Sequence, residues 1–92
     1  MTFYAICYDI EDDRIRGRIA DVLGEYGNRV QKSVFEVHLR EADGLERLAT
    51  RLLAVGAQGA DLRFYHLCER CRATSFDLAG EAVAVFAGTI IL

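Results

Sequence analysis

The chain has 92 residues, a hydrophobic content of 52% and a formal net charge of -3 at pH 7. A chain of this length is near the lower limit for burying its own core, so we expect one domain over residues 1–92. The acidic balance excludes a protein that coats nucleic acid by bulk attraction, because such domains are usually strongly basic. Any phosphate binding must therefore be local, and Arg supplies all but one of the eleven basic residues.

Cysteine usage and the chain ends indicate a compartment. The three cysteines form no even disulfide framework, and no charged leader precedes an apolar stretch of signal-peptide length. We therefore expect a cytoplasmic protein with reduced thiols. The apolar segment 82–92 is far shorter than the roughly 20 residues that a membrane-spanning helix needs, so we expect a strand there and no membrane contact.

The first predicted element is a strand over residues 3–8, an unbroken apolar and aromatic run that stops at Asp9. Such a run is typical of a strand buried on both faces. Asp12 or Asp13 is suited to cap a helix that begins directly afterwards, and Gly27 is suited to end it in the left-handed conformation. The apolar residues of this helix share one face: Ile15, Ile19, Val22, Leu23 and Tyr26.

Residues 28–39 are predicted to be extended, because β-branched and aromatic residues alternate there with polar ones. One bent strand or two short strands fit equally, and no turn dipeptide places a hairpin. Asp43 and Glu46 then form a capping pattern ahead of a second helix, which Gly56 ends. Its apolar face consists of Leu45, Leu48, Ala49, Leu52 and Leu53.

A further strand is predicted over residues 62–67, and an irregular or briefly helical stretch over 68–80. Segment 82–87 is apolar on both faces and must be covered, because an exposed strand of that kind invites aggregation. The elements together predict an α+β two-layer sandwich, and a second subunit's sheet is the economical cover for the last strand. We therefore expect residues 81–92 to exchange between the subunits of a homodimer.

Asp9 is the main candidate for chemistry, because its carboxylate emerges where the first strand leaves the core. Magnesium prefers six oxygen ligands, so one carboxylate per chain is few, but two Asp9 side chains meeting across a two-fold axis would suffice. Asp9 could instead cap the helix or pair with an Arg. Asp12 and Asp13 could contribute to the same site, although helix capping explains them as well.

Basic and soft side chains suggest two further sites. Four basic residues are candidate contacts for a nucleic-acid backbone if they line one flank of the dimer, and are solvated surface charges otherwise: Arg16, Arg18, Arg29 and Lys32. His66, Cys68 and Cys71 have a spacing that could begin a zinc site. A fourth ligand is missing, so the sequence leaves metal binding there open.

Several strings resemble the CRISPR-associated protein two family: Tyr8-Asp9-Ile10 with Asp12-Asp13, Arg16-x-Arg18, Val30-Gln31 ahead of Ser33-Val34-Phe35-Glu36, and Arg63 to Cys68. The resemblance covers roughly residues 3–71 in the right order. V-Q-x-S-V-F-E downstream of Y-D-I-x-D-D is specific when the two occur together. It implies a ferredoxin-like βαββαβ sandwich with an extra C-terminal strand, in a symmetric homodimer.

The resemblance implies two alternative functions in CRISPR adaptation, the acquisition of spacers. One is an endonuclease that uses Mg²⁺ or Mn²⁺ to cleave RNA or DNA phosphodiesters. The other is a non-catalytic dimeric scaffold that bridges dimers of the adaptation integrase, CRISPR-associated protein one, on double-stranded DNA. For the endonuclease the implied catalytic residues are Asp9, which is also the metal ligand, Tyr8, Ser33 and Phe35. Arg16, Arg18 and Arg29 also match residues implicated in the family.

Overall fold

The computed structural model of the chain describes residues 2–84. Its strands and helices follow the order β1 (Thr2–Asp9), α1 (Asp13–Gly24), β2 (Gly27–Gln31), β3 (Val34–Leu39), α2 (Gly44–Ala54), β4 (Asp61–Leu67) and α3 (Glu69–Ala73). The strands form one antiparallel sheet in the order β2-β3-β1-β4. This confirms the predicted ferredoxin-like βαββαβ arrangement, to which the short helix α3 is added.

The sheet has two unlike faces, because successive side chains of a strand point to opposite sides. Ile6 and Tyr8 of β1 lie on the face that packs against α1 and α2, within the main hydrophobic core. Cys7 and Asp9 lie on the other side, which we call the open face. The core residues with no solvent exposure come from both layers: Ile6, Ile19, Leu23, Val37 and Leu48.

Helix α1 begins as predicted but ends earlier. The carboxylate of Asp12 accepts hydrogen bonds from the backbone N–H groups of Arg14 at 2.9 Å and Ile15 at 3.0 Å, which makes Asp12 the N-cap. The prediction that Gly27 ends the helix is wrong, because the helix stops at Gly24 and Gly27 opens β2. Gly27 is small for another reason: a Cβ there would lie 1.9 Å from the carbonyl oxygen of Glu36.

Of the two possibilities for residues 28–39, the structure has two strands, joined by the turn at Lys32 and Ser33. The capping pattern predicted for α2 does not form, because the Asp43 side chain makes no capping hydrogen bond. Only the backbone oxygen of Asp43 is used, by the N–H of Arg47 at 3.0 Å. Gly56 does end the helix, in a left-handed conformation with φ 113°.

Arg72 of helix α3 holds the segment up to Ala84 against the open face. Arg72, which is 2% exposed, stacks over the ring of Phe3 at 3.5 Å and donates from Nε to the carbonyl oxygen of Ala84 at 3.2 Å. Ala82 forms a single bridge with Phe76. The described half of the predicted strand 82–87, residues 82–84, forms no strand beyond this bridge. The exchanging segment 81–92 lies mostly outside the described residues. Within residues 2–84, every helix is too short or too polar to cross a membrane.

Candidate functional site

Asp9 is exposed at the last position of β1, on the open face. The helix cap that could have explained it is Asp12, three residues later. Among residues 2–84, no Arg or Lys forms an ion pair with the Asp9 carboxylate. Neither structural explanation left open by the sequence therefore accounts for this side chain within the described part of the chain.

A second carboxylate lies beside it. Asp61, the first residue of β4, is the register partner of Asp9 across the antiparallel pair β1–β4, so both side chains project from the open face. Asp61 accepts a hydrogen bond at 3.2 Å from Nε of Arg63. A cavity of about 230 Å³ is lined by Asp9, Asp61 and Arg63 together with Cys7, Tyr8 and Tyr65.

Asp61 is not among the residues predicted from the sequence, because pairing across a sheet is not a local property. One signal was available: in the implied fold β4 runs antiparallel to β1, so the residue that begins β4 lies near the residue that ends β1. Asp61 directly precedes the predicted strand 62–67, and a strand one residue longer would have placed it opposite Asp9.

The structure places Tyr8 and Phe35 away from Asp9, on the helix face of the sheet. Both are buried, at 5% and 3% exposure, and their rings stack with centroids 6.3 Å apart. The Tyr8 hydroxyl is also buried and has no hydrogen-bond partner among residues 2–84. Tyr8 and Phe35 therefore support the end of β1 by packing, and their direct participation in catalysis stays a prediction.

Ser33 lies on the turn next to the end of β1. Its carbonyl oxygen accepts a hydrogen bond at 3.1 Å from the backbone N–H of Tyr8, which fixes the β2–β3 turn beside the strand end. Arg29 closes the same turn, because its Nε and Nη2 atoms donate to the carbonyl oxygen of Lys32 at 3.1 and 2.5 Å. Lys32 itself is exposed.

Arg16 and Arg18 have different positions on α1. Arg16 donates from Nη1 to the carbonyl oxygen of Ile10 at 2.8 Å and also pairs with Asp13, so it ties the helix to the loop that follows Asp9. Arg18 is exposed. The structure thus brings Arg16, Arg29, Lys32 and Ser33 around the end of β1. Arg18 lies two residues after Arg16 and is turned by about 200° from it around the helix.

The predicted zinc ligands His66, Cys68 and Cys71 do not come together in the structure. Among residues 2–84, no three His, Cys, Asp or Glu side chains come together in a way that could hold a metal ion. His66 lies beside Tyr4, with ring centroids 5.3 Å apart, whereas Cys68 and Cys71 form a pair of their own. The same finding means that a metal at Asp9 needs ligands from beyond one described chain, or water.

Comparison with known proteins identifies the family of this chain. The model of the family "CRISPR associated protein Cas2" matches residues 1–75, which include every candidate residue described above. The chain belongs to the Cas2 family. The match runs from β1 through α3 and so includes all four strands of the sheet and the end of β1.

Individual Cas2 proteins and a solved structure are also similar to this chain. CRISPR-associated endonuclease Cas2 2 of Thermus thermophilus is 48% identical over 64 residues, covering 67% of this chain and 69% of that protein. CRISPR-associated endoribonuclease Cas2 3 of Synechocystis is 44% identical over 82 residues, covering 88% and 87%. A chain of a partial Cas6-RT-Cas1–Cas2 complex superimposes with a TM-score of 0.84 at 32% identity, covering 100% of both chains.

Proposed function

We propose that this Cas2 protein is a cytoplasmic, homodimeric endonuclease that cleaves RNA or DNA phosphodiesters with Mg²⁺ or Mn²⁺ during CRISPR adaptation. The observation that carries the proposal is the exposed Asp9 carboxylate at the rigid end of β1, in register with Asp61 and without an ion-pair partner among the described residues. The names of the relatives, endonuclease and endoribonuclease, agree with that chemistry.

Exposed apolar side chains support the homodimer. Tyr65 on the open face is 49% exposed, and the loop after α3 leaves Phe76 and Leu78 at 71% and 105% exposure. A small chain gains stability when a second copy removes such side chains from water. A two-fold axis near the end of β1 would bring the Asp9 carboxylates of both subunits together.

The donors fit the proposed ion, since Mg²⁺ and Mn²⁺ bind carboxylate oxygens and retain several waters. Asp9 would hold the ion, and Asp61 would add a second oxygen donor from the neighbouring strand. Once bound, the ion supplies positive charge that polarises a phosphoryl oxygen and lowers the pKa of a bound water. The chain's own contribution is to place these carboxylates opposite each other on two paired strands of one sheet.

The basic residues are assigned to binding and positioning. Lys32 and Arg18 are exposed and available to phosphate oxygens, in contacts that carry no sequence information. Arg16 and Arg29 hold the loop after Asp9 and the β2–β3 turn through backbone carbonyls. Ser33 lies on that turn beside the end of β1, and we assign its hydroxyl to contact the nucleic-acid backbone.

A nuclease assay with the purified chain tests the proposal. Asp9→Asn should remove Mg²⁺-dependent cleavage of single-stranded RNA and duplex DNA, because an amide is a weaker ligand than a carboxylate. Asp21→Asn, which changes an exposed carboxylate on α1, should cleave like the wild type. Cleavage by Asp9→Asn at the wild-type rate, or cleavage that persists with chelator, would contradict a metal-dependent nuclease site at Asp9.

The alternative is a non-catalytic scaffold that bridges dimers of the adaptation integrase on double-stranded DNA. The full-length similarity to a chain from a partial Cas6-RT-Cas1–Cas2 complex favours this function, because that assembly contains Cas1. In this case wild type and Asp9→Asn would both lack cleavage and would both bind duplex DNA and integrase. The nuclease assay therefore separates the two functions.

A further inference from the structure

Cys68 and Cys71 form a contact that the proposed function does not use. Both are exposed, and their Sγ atoms lie 3.0 Å apart. The backbone N–H of Cys71 also donates to Sγ of Cys68 at 3.3 Å, so two contacts join these residues. The third cysteine, Cys7, is half-buried in β1.

The turn that carries the pair is held firmly. The backbone N–H of Arg72 donates to the carbonyl oxygen of Cys68 at 3.0 Å, and the Arg72 side chain is buried against Phe3. This anchoring keeps both sulfurs on one side of the turn without covering them. A disulfide bond is about 2 Å long, so closing one here requires the sulfurs to approach by only about 1 Å.

We propose that Cys68 and Cys71 form a reversible thiol–disulfide couple that exchanges with low-molecular-weight disulfides. The proposal is independent of the nuclease and scaffold functions, because it rests on these two sulfurs and the turn that holds them. Reactivity of this kind requires solvent access and a second thiol within reach of the first, and the pair has both.

The exchange proceeds in two balanced steps. Cys68 loses its proton to water, and its thiolate attacks one sulfur of the small disulfide RSSR, which forms a mixed disulfide and releases one thiolate RS⁻. Cys71 then loses its proton, and its thiolate attacks Sγ of Cys68, which forms the Cys68–Cys71 bond and releases the second RS⁻. The protein loses two electrons and two protons, and RSSR becomes two RSH.

The electrostatics assign the roles within the couple. The side-chain hydrogen bond between the two thiols lowers the pKa of Cys68, and the hydrogen bond from the Cys71 backbone N–H lowers it further. The same contact raises the pKa of Cys71. Because the thiolate is the nucleophile, Cys68 is the attacking sulfur and Cys71 the resolving one.

Thiol counting in glutathione buffers tests the couple. The full chain, with chelator present, is equilibrated at increasing ratios of oxidised to reduced glutathione, quenched with acid, alkylated and weighed intact. The wild type should lose two of its three alkylatable thiols together, so the oxidised chain carries one alkyl group. Apart from that group, its mass should be lower than that of the reduced chain by two hydrogen atoms, with no glutathione adduct. Cys7→Ser should lose both remaining thiols in the same way.

The single variants give the contrasting result. Cys71→Ser should accumulate a glutathione adduct at Cys68, because the resolving thiol is absent, and Cys68→Ser should form no internal bond. In the wild type, limited iodoacetamide should label Cys68 before Cys71. A wild type that keeps three thiols, retains a stable glutathione adduct, links two chains through these cysteines or labels Cys71 first would overturn the proposal.

Discussion

At the scale of single residues, two glycines show opposite requirements. Gly27 sits where β2 approaches β3 so closely that a Cβ would meet the Glu36 oxygen at 1.9 Å and the Val37 Cα at 2.7 Å. Gly17 lies within α1 with no atom within 4 Å of the Cβ position. The first glycine is needed for strand pairing, whereas the second only lowers helix propensity.

We therefore predict that Gly27→Ala lowers the free energy of unfolding by about 1–3 kcal/mol, because backbone atoms must shift to admit the methyl group. Gly17→Ala should raise that free energy by about 0.5–1 kcal/mol, since alanine is the better helix former. Urea denaturation followed by circular dichroism measures both. Equal effects of the two substitutions would contradict the close approach of β2 and β3.

His38 gives a pH-dependent contribution at the same scale. It stacks on Phe3, with ring centroids 4.9 Å apart. Burial lowers the pKa of His38 below its ordinary value of 6.5, and the charges of Arg40 and Arg72 lower it further. The folded chain thus binds this proton less tightly than the unfolded chain, so stability is present above pH 6.5 and is lost as the pH falls below it.

Replacing His38 should flatten this part of the pH profile. We predict that the melting temperature of His38→Gln depends less on pH than that of the wild type as the pH falls from 7.5 through 6.5 towards the lower pKa of the folded state. His66→Gln, which changes the exposed histidine of β4, serves as the control. If the melting temperature of His38→Gln depends on pH as in the wild type and that of His66→Gln does not, the pH dependence comes from His66 and the prediction is wrong.

At the scale of elements, α2 has a buried and an exposed leucine five residues apart, on different sides of the helix. Leu48 has no exposure, whereas Leu53 is 48% exposed. Leu48→Ala should lower the free energy of unfolding by about 2–5 kcal/mol, because it leaves a cavity between helix and sheet. Leu53→Ala should change it by less than about 1 kcal/mol. Chemical denaturation measures the free energy of unfolding of both variants. Similar decreases for Leu48→Ala and Leu53→Ala would contradict the packing of α2.

The same scale shows what could be predicted from the sequence. Apolar patterning predicted helices α1 and α2 and strands β1 and β4, because burial of apolar faces dominates their stability. The ferredoxin-like arrangement of the strands was predicted from the family resemblance. Apolar patterning did not predict the end of α1, since the steric reason for Gly27 lies in β3. It did not predict the unused Asp43 cap either, because several local arrangements satisfy a helix start equally well.

The site divides in the same way. Asp9 was predictable as the point where an apolar run ends, and Asp12 as a cap, because both depend on neighbours in the chain. Asp61 depends on the register of β1 and β4. The burial of Tyr8 beside an exposed Asp9 follows from alternation along the strand, a period that an unbroken apolar run conceals.

At the scale of the whole molecule, the sheet presents a helix-covered face and an open face. The open face carries Asp9, Asp61 and Arg63, and Arg72 brings the segment up to Ala84 onto its opposite end. A second copy on this face would cover Tyr65 and place two sets of carboxylates near one axis. The proposed nuclease site would therefore form only in the proposed homodimer.

Calorimetric titration of Mn²⁺ into the chain tests this most directly, with Asp9→Asn as the variant and Asp21→Asn as the matched control. We expect one ion for every two chains in the wild type and in Asp21→Asn. In Asp9→Asn the affinity should fall at least about tenfold, because a ligand is lost. Unchanged affinity in Asp9→Asn, or no binding of Mn²⁺ by the wild type, would contradict a metal site at Asp9.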